Sequence, residues 1–518
     1  MHWADVVASR LEDAGEVHRI ATGITPSGHI HVGNMREILT GDLVHKAAKS
    51  KGLDSRLYYL ADDFDPLRKV YPFLPGEYKQ HVGKPLSEIP SPDGEGTYAD
   101  HFLGPFLDSV KRLGIEPIVL RSSQSYKEGK YAKPTGILLD RREEVKGILE
   151  RISGRDLPDN WIPYNAKCEN CGRIDSTRPM EWKHPYVHYR CDCGHEGKAD
   201  IRTDDGKLPW RLDWPARWFW LGVTCEPFGK DHAASGGSYD TSSRIIEDVL
   251  GSKPPEPVIY EWIQLKGKGA MSSSSGVVVT AVDMLKMAPP EVLRFLIARY
   301  QPSRHIDLDP GLGILNVVDD YDRYAREYSR SDDGDVDEDR LRAYELSVID
   351  PDEGSDSDVF EVPYRHLVTL VQLVDDDEIL FGKIERSEGI EKLDPASRRR
   401  ILRRAECVRF WLERFAPEGV KFRVFERAPD DVVGSLTPDM KKALEAMREE
   451  FEGIRWDAES IHNAIYEGSR KRDIKPKTTF KAFYRILLGK SRGPRLGFFL
   501  STMEKDDVYE RIDHALGS

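Results

Sequence analysis

Cysteine is scarce, with six in 518 residues, far below the density of a disulfide-stapled secreted scaffold. Long apolar runs are missing too: no stretch approaches the ~18 consecutive apolar residues that a membrane-spanning helix needs. The opening Met1-His2-Trp3-Ala4-Asp5 has no apolar h-region, so no secretory signal is expected and the chain is read as cytoplasmic. A uniformly basic coat is absent as well, because 76 Lys and Arg stand against 89 Asp and Glu, a net charge of −13. That balance leaves room only for a local basic patch. What remains is a globular chain, 39% hydrophobic and 32% charged, long enough for about three or four domains.

The first elements read as a βαβ unit. A short strand over 17–22 (VHRIAT) runs into Gly23 and a loop, Thr25-Pro26-Ser27-Gly28. A helix over 34–50 follows, with Met35, Ile38, Leu39, Leu43 and Ala47 at helical spacing, and 55–61 (SRLYYLA) returns as a strand. Further strands are expected at 117–120 and 258–263, which makes a doubly wound parallel sheet with its ligand at the carboxyl ends of the strands. Beyond Met284 the pattern turns helical, for example at Ile401, Leu402, Ala405, Val408, Leu412 and Phe415. The acidic stretch 331–339 (SDDGDVDED) reads as a solvated break.

Two loops carry the chemistry. The first continues His29-Ile30-His31-Val32-Gly33-Asn34 into the helix. A helix start offers unpaired backbone N–H groups and partial positive charge to phosphate oxygens. Gly33 permits close approach of a nucleotide, and His31 and Asn34 add uncharged donors. The second is Lys266-Gly267-Lys268-Gly269-Ala270-Met271-Ser272-Ser273-Ser274-Ser275-Gly276. It lies between an apolar strand and Val277-Val278-Val279-Thr280, so it reads as a loop anchored at both ends that closes on a triphosphate.

Four cysteines fall into two tight pairs, Cys168/Cys171 and Cys191/Cys193, within a Pro-, Gly- and His-rich insertion at about 161–200. Thiolates so spaced suit a closed tetrahedral Zn²⁺ site of structural type, with His195 as an alternative ligand for one cysteine. Near the C-terminus Arg470, Lys471, Arg472, Lys475, Lys477 and Arg492 crowd together, with Phe480, Phe483 and Tyr484 interleaved. This is the footprint expected for RNA phosphates. A second basic run spans Arg398 to Arg404.

Together the two loops resemble the signature motifs of class I aminoacyl-tRNA synthetases. His31-Val32-Gly33-Asn34 stands where the family has His-Ile-Gly-His, and Ala270-Met271-Ser272-Ser273-Ser274 where it has Lys-Met-Ser-Lys-Ser. Within that class the sequence is similar to the archaeal-type lysyl enzymes. The likeness extends through 22–28 (TGITPSG), 208–215 (LPWRLDWP), 228–232 (FGKDH) and 489–494 (GKSRGP). Both motif lysines are missing, at Ala270 and Ser273, which shifts their role to Lys266, Lys268 and backbone amides.

The resemblance implies activation of L-lysine by ATP with Mg²⁺, then transfer to tRNA(Lys). It assigns the reaction to His31, Asn34, Met271, Ser272, Ser274, Lys266 and Lys268, and ATP contacts to His31, Gly33, Asn34, Asp231, Ser272 and Ser273. The lysine contacts it implies are Gly23, Thr25, Trp210, His232 and Tyr260, with Asp213 as an acidic partner for the ε-ammonium. The implied layout is a Rossmann-like catalytic domain at 1–235 interrupted by the zinc module. Its remainder and a helical stem occupy 236–330, and an all-α anticodon-binding domain 335–518. A monomer without membrane contact is expected. Glutamate or glutamine specificity is the alternative within the class, and a non-catalytic tRNA-binding paralogue the alternative outside it.

Overall fold

A computed structural model describes residues 1–13, 15–154, 156–267, 269–270, 279–329, 337–349, 360 and 362–517. The chain divides into two compact units, one of residues 1–285, 290–308 and 324–351, the other of 286–289, 309–323 and 352–518. No helix among the described residues is long and apolar enough to cross a membrane.

The first unit is built on five parallel strands: β1 (Val17–Ile24), β2 (Asp54–Ala61), β3 (Ile118–Arg121), β4 (Cys225–Gly229) and β5 (Glu256–Tyr260). Their spatial order is β5-β4-β1-β2-β3. The chain winds outward from β1 in one direction and then in the other, so the topological switch point lies between β1 and β4. Ile20, Ala21 and Thr22 of β1 are wholly buried, as a parallel strand covered on both faces must be. Helix α1 (Val32–Ser50) crosses from β1 to β2, whose register runs from Val17 opposite Asp54 to Ile24 opposite Ala61. A Cβ on its Gly41 would stand 2.8 Å from the Thr22 methyl, so glycine is what lets the helix lie this close to the sheet.

Two strand expectations need correction. The segment 258–263 is not one strand. β5 ends at Tyr260, and Ile263–Leu265 joins a separate three-stranded sheet with Gly269–Ala270 and Ile306–Leu308. The diversion has a cause, since buried Arg36 takes the carbonyls of Glu261 and Trp262 and the Glu261 amide donates to Pro302. β4 (CEPFG) carries no strand signal, because Pro227 lacks a ladder donor. The fold tolerates it because β4 pairs with β1 only at Ile20–Cys225. Beyond that pair the two strands part, and a crevice opens.

The insertion holds an antiparallel meander of Thr177–Lys183, Tyr186–Cys191 and Glu196–Asp200. After it comes α2 (Trp210–Leu221), which buries Trp214 and Trp218 and ends on left-handed Gly222. α3 (Pro290–Ala298) contributes the buried Arg294, which bonds Asp42 of α1 at 2.5 Å and the carbonyls of Leu113 and Leu346.

Among its described residues the second unit has helices joined by loops and no strand. It includes α4 (Pro395–Arg414), α5 (Pro438–Glu450), α6 (Ala458–Lys471), α7 (Pro476–Leu488), α8 (Leu496–Ser501) and α9 (Lys505–Leu516). Asp394, Thr437 and Asp457 cap three of these starts with side-chain acceptors. On α4 the periodic Ile401, Ala405 and Val408 are buried, whereas Leu402, Leu412 and Phe415 are half-buried. Most of the acidic stretch 331–339 lies outside the described residues, and a helix already begins at Glu338.

Arg294→Met strands a buried carboxylate at Asp42 and two carbonyls. It is expected to cost ~3–5 kcal/mol, read as a lower urea midpoint, and the added Asp42→Asn should recover part of the loss. An unchanged midpoint removes this pair from the account of stability.

Candidate active site

A cleft of about 750 Å³ opens at the carboxyl ends of β1, β4 and β5, where β1 and β4 diverge. Three segments meet there: the loop after β1, the first turns of α1, and the ends of β4 and β5. His31 is the N-cap of α1, and its backbone N–H donates to Asn34 Oδ1 at 3.3 Å. The Asn34 oxygen is thereby engaged, which leaves its amide nitrogen as the donor. Burial drops His31 to about 4, so the imidazole is neutral at pH 7. Its Nδ1 is buried with no partner among the described residues.

The serine segment is rooted beside this helix start. On its exit side Val32 N donates to the Val279 carbonyl at 3.1 Å, and His31 forms an antiparallel bridge with Thr280. On its entry side Arg36 holds four carbonyls: Glu261 (2.5 Å), Trp262 (3.4 Å), Pro302 (3.0 Å) and Arg304 (2.8 Å). Lys268, Met271, Ser272, Ser273 and Ser274 lie outside the described residues. Lys266 is described and exposed, its amide donating to Leu308, but it does not line the cleft.

The positions read for lysine converge. Gly23, Thr25, Trp210, His232 and Tyr260 all line the cleft, together with Gly33, Asn34 and Asp231. Trp210 stacks on Trp214 with centroids 5.3 Å apart and lies 5.9 Å from the His232 ring. Trp214 and Trp218 both donate their indole N–H to buried Glu226 of β4, which fixes α2 against the sheet.

Asp213 does not face a ligand. It is wholly buried, and its oxygens accept from Tyr126 (2.7 Å), Tyr131 (3.4 Å) and Arg217 (3.3 Å), with Lys207 at 3.6 Å. Its place on the first turn of α2 turns it inward, a fact that one acidic letter in a Trp-rich helix does not reveal. Lys207 also reaches Asp65 at 2.6 Å, and Asp65 in turn accepts from Thr25 Oγ1 at 3.0 Å. Burial works to raise Asp65, but Lys207 holds it below the usual carboxylate range.

A further carboxyl lining the cleft beside Asp231 is Glu37, which sequence reasoning passed over. It accepts from Gly23 N at 2.6 Å and Tyr260 OH at 2.9 Å, and burial pushes it up to about 8. The signal was the i, i+3 spacing from Asn34, which puts a second polar residue on the same helix face.

In the insertion the four cysteine sulfurs lie within 4.8 Å of one another. Cys168–Cys193 and Cys171–Cys191 are each 3.6 Å apart, close to the ~3.8 Å edge of a tetrahedral thiolate shell at zinc–sulfur distance. The His195 amide donates to Cys193 and holds its thiol down at about 6. The His195 ring faces Glu169 at 3.7 Å, and neither it nor His188 joins the cluster. The remaining cysteines, Cys225 and Cys407, are buried apart from it.

The helical unit carries the basic patch. Lys471 pairs with Glu450 and Arg472 with Glu449, whereas Arg470, Lys475, Lys477 and Arg492 are exposed with no ion-pair partner among the described residues. The run on α4 is already committed in part: Arg404 is buried on Asp322 and Arg398 pairs with Glu378.

The family signature of class I (K) tRNA synthetases matches residues 1–350, and that of an anticodon binding domain matches 421–516. Along its whole length the chain is 44% identical to a lysine–tRNA ligase of Picrophilus torridus, covering 99% of it. It is 45% identical to one from Thermoplasma volcanium, at 100% of this chain and 99% of that one. It is 44% identical to one from Archaeoglobus fulgidus, at 100% of both.

The sulfur cluster predicts one divalent metal ion per chain by elemental analysis. Cys168→Ser or treatment with a strong chelator should remove it and lower the thermal midpoint, while an unchanged midpoint in metal-free protein denies the site a structural role.

Proposed function

The chain belongs to the class I (K) tRNA synthetases, and we propose that its cleft activates L-lysine with ATP and passes the lysyl group to tRNA(Lys). The observation that carries this is the joining of Val32 and His31 to Val279 and Thr280, which roots both nucleotide-facing loops on one cleft at the switch point.

In the first step a lysine carboxylate oxygen bonds to the α-phosphorus, and the bond to the bridging oxygen of pyrophosphate breaks. In the second, a hydroxyl of the terminal tRNA ribose attacks the lysyl carbonyl and AMP leaves. Neither step needs a covalent protein intermediate; positioning and aimed donors supply the rate. The start of α1 receives the phosphates. His31 donates as a neutral ring, Asn34 offers its amide, and Gly33 leaves the backbone N–H groups accessible. Mg²⁺ entering with ATP would screen the triphosphate, and because Lys266 does not line the cleft, the role of the two missing motif lysines falls to Lys268 and loop amides.

At the other end of the cleft, Trp210 and Tyr260 cover the aliphatic stem of lysine and offer ring faces to an ammonium. Glu37 supplies the negative charge once its proton leaves. The four cysteines hold a structural Zn²⁺, and the helical domain takes the anticodon through Arg470, Lys475, Lys477 and Arg492 in the cytoplasm.

Three measurements test this. ATP–pyrophosphate exchange, run with and without tRNA, should be driven by lysine; exchange driven by glutamate overturns the specificity, and none with any amino acid favours a non-catalytic paralogue. His31→Ala should lower kcat about 10²–10³-fold with tRNA affinity unchanged, and an unaltered kcat removes His31 from the reaction.

The third is a pH profile. Because burial keeps Glu37 protonated up to about 8, binding of the lysine cation is expected to expel that proton. Lysine affinity should therefore rise as pH climbs toward 8 and level off above it. Glu37→Gln should bind weakly and flatten the profile; a variant with the parental profile dismisses Glu37 as the partner.

A further inference from the structure

The outer face of α6 carries a feature that the reaction does not use. His462, Tyr466 and Arg470 recur at i, i+4 and i+8, so they share one exposed stripe. Tyr466 is 46% exposed. Its ring lies 4.8 Å from that of His462 and 5.7 Å from that of Phe480 on α7, the latter nearly perpendicular at 70°. Three contiguous rings are thus held at a water-facing surface, where an apolar face is unfavourable unless something covers it.

The platform is rigid beneath. Ile461, Ile465 and Ser469 are buried on the opposite face of α6, and Ser469 Oγ bonds Thr479 Oγ1 of α7 at 2.8 Å, which pins the two helices together. The cations around it are unspent. Arg470 extends the stripe, and Lys477 sits one turn before Phe480; both are exposed with no ion-pair partner among the described residues. Lys471 and Arg472, which point elsewhere on the same helix end, are neutralised by Glu450 and Glu449. An open ring flanked by free cations is the chemistry of a single-stranded nucleic-acid platform, where a base stacks and its phosphates are met at the edge.

We propose that Tyr466, buttressed by His462 and Phe480, is a stacking platform for an unpaired base of the tRNA anticodon loop, with Arg470 and Lys477 gripping the adjoining phosphates. The assignment rests on the reading of this domain as the anticodon binder, and goes beyond it by naming the surface and the mode of contact.

The test uses full-length protein and an anticodon stem–loop RNA carrying 2-aminopurine in the loop. The parent should quench the fluorophore on binding. Tyr466→Ala should weaken binding about 10-fold or more and abolish the quench, while Tyr466→Trp should keep both. Arg470→Glu with Lys477→Glu should weaken binding and flatten its salt dependence. If Tyr466→Ala binds like the parent while the charge variant fails, the platform is refuted and the domain reading stands. A Tyr466→Phe variant as weak as alanine replaces stacking with a hydroxyl contact and also overturns the proposal. If the parent does not bind the stem–loop at all, the anticodon reading itself falls and the platform with it.

Discussion

A knot of buried charge beneath the strand ends sets the shape of everything above it. Lys207 and Arg217, both almost fully buried, are shared among Asp62, Asp65 and Asp213, with Tyr126 and Tyr131 filling the remaining acceptor sites. Burial alone would strip a proton from Lys207, but the surrounding carboxylates raise its affinity instead. Such a network is worth having only when complete, because a lone buried charge costs several kcal/mol. Its upper members form the cleft floor: Asp65 orients Thr25, and Arg217 comes so close to β1 that a Cβ on Gly23 would stand 3.1 Å from its Nη1 and 2.9 Å from the Leu60 carbonyl. Position 23 must therefore be glycine, and its bare amide is what Glu37 receives.

Above that floor one helix does several jobs at successive turns. The first turn of α1 lines the cleft and holds Val279 and Thr280. Arg36 turns away, into a nest of four carbonyls that fixes the entry of the serine segment, and its burial drops it to about 10 despite the opposing pull of Tyr260 and Glu261. Glu37 turns back into the cleft, toward Gly23 and Tyr260. Asp42, lower down, anchors the helix to Arg294. A shift of α1 along its axis would disturb all four contacts together, so the segments that line the cleft are held in one register.

Charge is handled differently elsewhere. In the insertion, backbone N–H groups point at sulfur, from Asn170 and Cys171 to Cys168, from Arg173 to Cys171 and from His195 to Cys193, an arrangement suited to thiolates around a cation. In the helical unit the basic residues sort themselves by environment. Arg404 is spent on Asp322 inside, Arg398, Lys471 and Arg472 on neighbouring glutamates, whereas Arg470, Lys475, Lys477 and Arg492 face water. A chain with a net charge of −13 thus keeps a local group of exposed cations on its helical unit.

Periodicity and residue type were enough for β1, α1, β2 and most of the helical unit, because long amphipathic or fully apolar segments have one stable way to bury themselves. Residue chemistry and spacing likewise marked the helix start at His31-Val32-Gly33-Asn34 and grouped the four cysteines. What no linear reading contained was competition between distant partners. β4 is a strand despite Pro227 because it needs only one pair with β1, and 258–263 breaks because Arg36 claims its carbonyls. Asp213 and Glu37 look alike as letters, yet one is consumed by two buried cations and two phenols while the other keeps a proton and faces the cleft. Residue type and order fix which elements form and which chemistry they carry, whereas the fold selects which side chains remain available, because that depends on which partners, up to 337 residues away, reach them first.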